Sequence, residues 1–190
     1  SHLGSRAACL AVIHAVRKCC SAAGIDHALL SKRITSTWLS LLAPLVPSDC
    51  AATCLLAGRM SDGMVHMGMV GDGLVAAVRC DGTVISLSDD KSDGFSNITA
   101  GLSPDVSDQD WHWLSLPEED CQSIILCTDG VADDLSDVIG FVREFCEAHR
   151  FLSSVSAARR IREMLEKWPT PKHSDDKTIA CLFREKTTDE

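Results

Sequence analysis

Three acidic sites in this chain share one local setting. "MGMVGDG" closes an apolar run at Asp72, "SIILCTDGVADDL" closes another at Asp129, and "PKHSDDKTIACLF" opens a third at Asp175-Asp176. A carboxylate at the mouth of a buried strand is costly to hold unless something positive meets it. If these strands neighbour one another in a sheet, the acids converge at one edge. Two carboxylates about 4 Å apart repel by ~4 kcal/mol at an effective dielectric of about 20. Such a cluster must raise its pKa values or take up a cation. Oxygen is the only donor type on offer, with no Cys or His pair beside it, so the cation is a hard divalent one: magnesium, manganese or calcium.

Each acid also has a purely structural reading. Asp-Gly is common hairpin chemistry because both residues tolerate positive φ. Asp72-Gly73 alone therefore reads as a turn, and Asp62, Asp81 and Asp93 are assigned to turns outright. Asp175-Asp176 alone reads as a solvated turn. Asp129 is harder to dismiss, since a helix and not a returning strand comes after it, with Asp133 or Asp134 placed to cap that helix. The signal lies in the order of all three sites.

The elements that must position these acids can be read from the pattern. "SRAACLAVIHAVRKCCSAAG" carries Ala8, Ala11, Val12, Ala15 and Val16 at helical spacing, with Gly24 as its stop. A second helix covers "HALLSKRITSTWLSLLAPL", ending near Pro44 or Pro47. From Ala51 to Leu87, short apolar runs punctuated by Asp-Gly steps predict an antiparallel meander of about four strands. Residues 89–110 are polar and turn-rich and read as a long surface loop. "WHWLSLP" and "CQSIILC" predict two more strands. Helices over Asp134–His149 and Ser154–Trp168 come next, and "KTIACLF" predicts the closing strand. The class is α+β, with sheets covered by helices.

Bulk properties narrow the function classes. With 190 residues, 45% of them hydrophobic, the chain suits one compact domain with a sizeable core; the expected boundaries are 1–186, with a charged tail at 187–190. No apolar run approaches the ~20 residues of a membrane span, and no secretory signal is visible. A formal net charge of −9 with no basic tract argues against a nucleic-acid partner. Ten cysteines include no C-x-x-C pair, and the seven histidines show no paired-ligand spacing, so a zinc framework is not expected. Cys9, Cys54, Cys127 and Cys181 lie in apolar segments and read as small hydrophobes in a reducing, cytoplasmic setting.

The order of Gly71-Asp72-Gly73, Thr128-Asp129-Gly130 and Asp175-Asp176-Lys177-Thr178 resembles the metal-dependent protein phosphatases of type 2C, particularly their bacterial-style relatives. That family has a GDS or GDG step between central strands, an apolar strand ending in SDG or TDG, and a DN or DD-x-T step opening the last strand. "FSNITAGLSPDV" is similar to the loop ahead of its penultimate strands. The resemblance implies two antiparallel sheets packed as a sandwich and flanked by helices. It implies that Asp129 and Asp175 are ligands of a binuclear Mn2+ or Mg2+ centre, and that Asp72 helps hold a weaker third ion. Gly130 would let the chain turn close to the metals, and Asp176 would support the site without ligating. The implied reaction is hydrolysis of phosphoserine or phosphothreonine in a phosphorylated protein, a Ser/Thr kinase or its targets among the partners. No phosphoenzyme is implied, so Cys127 reads as core.

The departure is at the front. The family opens with strands carrying a basic phosphate contact and an Asp-Gly-x-Gly step whose Asp bridges both metals. "SHLGSRAACLAV" resembles the segment just after that step, where the first long helix begins, and no Asp precedes Asp26, which sits after a helix. The domain is therefore expected to be N-terminally incomplete. Arg6 is a phosphate contact or a solvated residue on the first helix. The alternative to an enzyme is a catalytically incomplete module that binds a protein partner.

Overall fold

The computed structural model describes residues 1–19, 24–88, 100–169 and 176–185. The chain forms two compact units, Ser1–Asp72 with Leu87–Glu118, and Gly73–Ser86 with Glu119–Glu190. Each has an antiparallel sheet, flanking helices and a core of its own.

In the first unit, α1 (His2–Cys19) packs along α2 (His27–Leu42). Small residues recur on one side of α1 (Ala7, Ala8, Ala11, Ala15) and large ones on one side of α2 (Leu30, Ile34, Trp38, Leu42), all buried in one cluster. The pairing of small against large lets the two helices approach closely, and each fully buried large side chain contributes about 1.5–3 kcal/mol. The indole of Trp38 donates to the Gly4 carbonyl at 3.0 Å. Asp26 caps α2 by accepting from the Leu29 amide at 3.1 Å. The sheet has order β1-β2-β5, formed by β1 (Cys54–Arg59), β2 (Met64–Val70) and β5 (His112–Pro117).

The second unit carries a sheet of order β4-β3-β6-β7, from β3 (Leu74–Arg79), β4 (Val84–Ser88), β6 (Cys121–Cys127) and β7 (Ile179–Phe183). A short helix α3 (Asp129–Ala132) continues directly from β6, then α4 (Val138–His149) and α5 (Ser154–Glu166). Val142, Phe145 and Cys146 of α4 bury with Leu74, Ala76, Ile125 and Cys127 of the strands. Among the described residues no helix is long and apolar enough to cross a membrane.

Four expectations are corrected. The four strands of Ala51–Leu87 exist, but they are not one meander: β2 pairs with β5 and β3 pairs with β6. Asp62-Gly63 and Asp81-Gly82 do make hairpins, whereas Gly71 and Gly73, with φ of 97° and 132°, carry the chain from one sheet to the other. Residues 89–99, with Asp93, lie outside the described part, and the remainder of the expected surface loop is not all surface. Leu102 is fully buried and bridges Ala52, since an apolar side chain in a polar stretch is drawn to the core. Cys9 is exposed on α1, while Cys54 and Cys127 are buried as expected. Finally, α4 is capped by Asp137, which accepts from Gly140 N, and not by Asp133 or Asp134.

Candidate metal centre

Two of the three acidic motifs meet in the second unit. β6 and β7 run antiparallel with Cys127 opposite Ile179, so the end of one and the start of the other share an edge of the sheet. Beyond the last strand pair the backbones stay joined. Thr128 N donates to Thr178 O at 3.1 Å, and Thr178 N donates to Thr128 Oγ1 at 3.0 Å. Thr128 Oγ1 in turn donates to the Asp176 carbonyl at 3.2 Å. The threonines of the two motifs thus act as a clasp that sets the Asp129 end of β6 beside the segment opening β7. Asp175 itself lies outside the described residues; Asp176 is exposed.

Asp129 is half-buried and begins α3. Its Oδ1 accepts the Gly130 amide at 2.7 Å, which fixes the carboxylate at the strand end. Gly130 is buried and has no positive φ, so helix α3, and not a left-handed glycine, makes the turn here. Cys127, the last residue of β6, is fully buried, and burial pushes its thiol up to about 12. It is core.

Asp72 belongs to the first unit. It is half-buried, and its Oδ1 accepts the Thr53 hydroxyl at 2.7 Å. Gly71 beside it holds φ 97°, and a Cβ there would come within 2.7 Å of Thr53 Oγ1. The step therefore needs glycine for its backbone conformation and for close approach to the residue leading into β1. Arg6 is exposed on α1, and Asp26 serves as a helix cap.

The motifs alone did not show Asp134. Its side chain is 2% exposed, accepts the Trp168 indole at 3.0 Å and lies 3.6 Å from Lys177 Nζ. It joins the start of the helical segment, the residues after α5 and the third position of the Asp175-Asp176-Lys177-Thr178 motif. In the sequence Asp134 stands between Asp133 and Leu135 with Ser136 and Asp137 beyond, and helix capping explained it more simply. A groove of about 1130 Å3 along α5 and β7 reaches Asp176 and Lys177.

The donors at these sites are carboxylates, which suits a hard divalent ion and not a thiophilic one. Among the described residues no group of three or more His, Cys, Asp and Glu gathers as a metal cage, and Asp175 is not among them.

A family model described as protein phosphatase 2C matches residues 1–166. The chain belongs to that family. No curated protein matches it. Among solved structures, the chain is similar to a bacterial serine phosphatase bearing an arginine-to-glutamate mutation, with TM-score 0.52 and 15% identity over 71% of this chain. It covers 54% of that structure's chain. It is similar to PppA, a key regulatory component of T6SS in Pseudomonas aeruginosa, with TM-score 0.56 and 11% identity, covering 92% of this chain and 77% of that one. It is also similar to the serine/threonine phosphatase PstP/Ppp of Mycobacterium tuberculosis, with TM-score 0.56 and 16% identity, covering 94% and 80%. At these identities the structural likeness speaks for the fold: two antiparallel sheets with flanking helices.

Proposed function

We propose that this domain hydrolyses phosphoserine and phosphothreonine in proteins, with Mn2+ or Mg2+ held by Asp129 and Asp175 and with Asp72 as a ligand of a weaker third ion. The observation that carries the reading is the clasp of Thr128 onto Asp176 and Thr178, which puts the two expected ligand segments side by side. When bound, the metals supply an activated water and neutralise charge on the phosphoryl oxygens. The chain's own residues do the positioning. The Gly130 amide orients the Asp129 carboxylate, the Thr128 clasp holds β7 in register, and the Asp134–Lys177 pair fixes Lys177 at the approach to β7. Cys127 takes no part as a nucleophile, because it is fully buried and burial holds its thiol well above its ordinary pKa. The substrates are phosphorylated proteins of a reducing cytoplasm, Ser/Thr kinases and their targets among them.

A second reading is a phosphatase-like module that binds a protein without hydrolysis. Mn2+ binding by calorimetry, paired with p-nitrophenyl phosphate hydrolysis, separates the two. The phosphatase reading expects metal-stimulated turnover that Asp129→Asn lowers about 100-fold or more. Turnover that survives Asp129→Asn overturns the metal role of Asp129. Metal binding lost in the variant, with no turnover in either protein even when a segment upstream of Ser1 is supplied, selects the binding module.

A further inference from the structure

The first unit holds a cluster of donors that the phosphatase reading leaves unused. His66 lies on β2 directly opposite Ser115 on β5, and His27 is the first residue of α2. His27 Nε2 is 2.9 Å from His66 Nδ1, His66 Nδ1 is 2.9 Å from Ser115 Oγ, and Ser115 Oγ is 3.5 Å from His27 Nε2. Three donor atoms from three elements thus form a closed triangle. Ligand atoms about 2.1 Å from one ion stand about 3.0 Å apart at a right angle and about 3.4 Å apart at the tetrahedral angle. The triangle's edges span those two values.

The surroundings are built to hold these atoms in place. His66 is 5% exposed, and its other nitrogen, Nε2, meets the Asp62 carboxylate at 2.9 Å. A carboxylate on the far nitrogen fixes the tautomer, leaving the lone pair of Nδ1 directed at His27 and Ser115. The His27 ring stacks on Trp113 at 4.5 Å and 5°. Trp113 is seated over Gly68, where a Cβ would come within 2.5 Å of the indole. Burial first, and His66 second, hold the His27 imidazole below its ordinary pKa, which favours the neutral form that binds metals. Two imidazole nitrogens this close must share either a proton or a cation.

We propose that His27 Nε2, His66 Nδ1 and Ser115 Oγ form a binding site for a transition-metal ion of the zinc class, with Asp62 as the outer-sphere partner of His66 and solvent completing the coordination. Imidazole donors select zinc, copper or nickel over the magnesium and manganese that all-carboxylate sites take. An ion here clips the start of α2 to β2 and β5 and stabilises the first unit by binding only its folded form. The proposal does not depend on phosphatase activity.

The test uses the untagged full chain in saturating Mg2+, so that carboxylate sites are filled. Zn2+ binding is followed by calorimetry, and Cu2+ is used as a probe by electron paramagnetic resonance. Expected are one Zn2+ site, a rise in melting temperature, and a Cu2+ spectrum with hyperfine splitting from two nitrogens. His27→Phe keeps a ring on Trp113 and should weaken Zn2+ binding at least about tenfold, as should Asp62→Asn, by about 10–100-fold. If His27→Phe does not fold, Ser115→Ala with Asp62→Asn decides the matter by the same readouts. Zn2+ binding unchanged in the variants, a Cu2+ spectrum with oxygen ligands only, or no Zn2+ uptake by folded wild-type chain overturns the proposal. The cluster is then a hydrogen-bond chain.

Discussion

Asp129 and Cys127 stand close together in the chain and differ in every respect that matters for chemistry. The carboxylate is half-buried at the strand end, whereas the thiol is fully buried with its pKa pushed up to about 12 by burial, as are those of Cys54 and Cys146. Native chain treated with iodoacetamide near pH 8 should therefore be alkylated at exposed Cys9 and Cys80 and spared at Cys54, Cys127 and Cys146, which peptide mass mapping can check. The same shifts bear on stability. A thiol whose pKa is raised from 9.0 in the unfolded chain to about 12 in the fold contributes stability that is intact below pH 9 and is lost as pH climbs toward 12. Melting temperature should fall across that window, and Cys127→Ala should flatten the fall. At Gly71, positive φ and the contact with Thr53 predict that Gly71→Ala costs about 1–3 kcal/mol, measurable by urea denaturation.

At the scale of elements, the Asp134–Lys177–Trp168 cluster ties the residues after α3, the end of α5 and the approach to β7 together. Removing the charge from one partner of a buried pair typically costs about 3 kcal/mol or more. Asp134→Asn should lower stability by that order and loosen Lys177 at the approach to β7, so metal affinity should fall with it. Calorimetric unfolding and Mn2+ titration check both. In the other unit, Gly4 lies against the Cys50 carbonyl, so Gly4→Ala must push α1 away from the 3-10 turn Pro47–Cys50 and should destabilise by about 1–3 kcal/mol. Legibility in the sequence divides along the same line. The presence of the long helices, both Asp-Gly hairpins and strands β5, β6 and β7 are local matters of period and turn chemistry, and they were readable; the start of α4 at Val138 and not Asp134 was not. The parting of β2 from β3 was not, because strand partnership is decided by distant residues such as His112–Pro117. Nor was the role of Asp134, whose partner Trp168 is 34 positions away, nor the meeting of His27 with His66 at 39.

For the whole molecule, the family match over residues 1–166 and the two helix-flanked antiparallel sheets agree with the order of acids from which the reading began. The chain's net charge of −9 suits a protein that recruits divalent cations more than one that grips polyanions. The central claim is that this acidic constellation turns bound metal into phosphate hydrolysis. Its most direct test is release of inorganic phosphate from a phosphothreonine peptide by the chain in Mn2+, after chelation, and after Mn2+ is returned. The account predicts release that stops with chelation, resumes with Mn2+ and is absent in Asp129→Asn. Release that persists through chelation, or a folded, metal-loaded protein that releases none even with a segment upstream of Ser1 supplied, would contradict it.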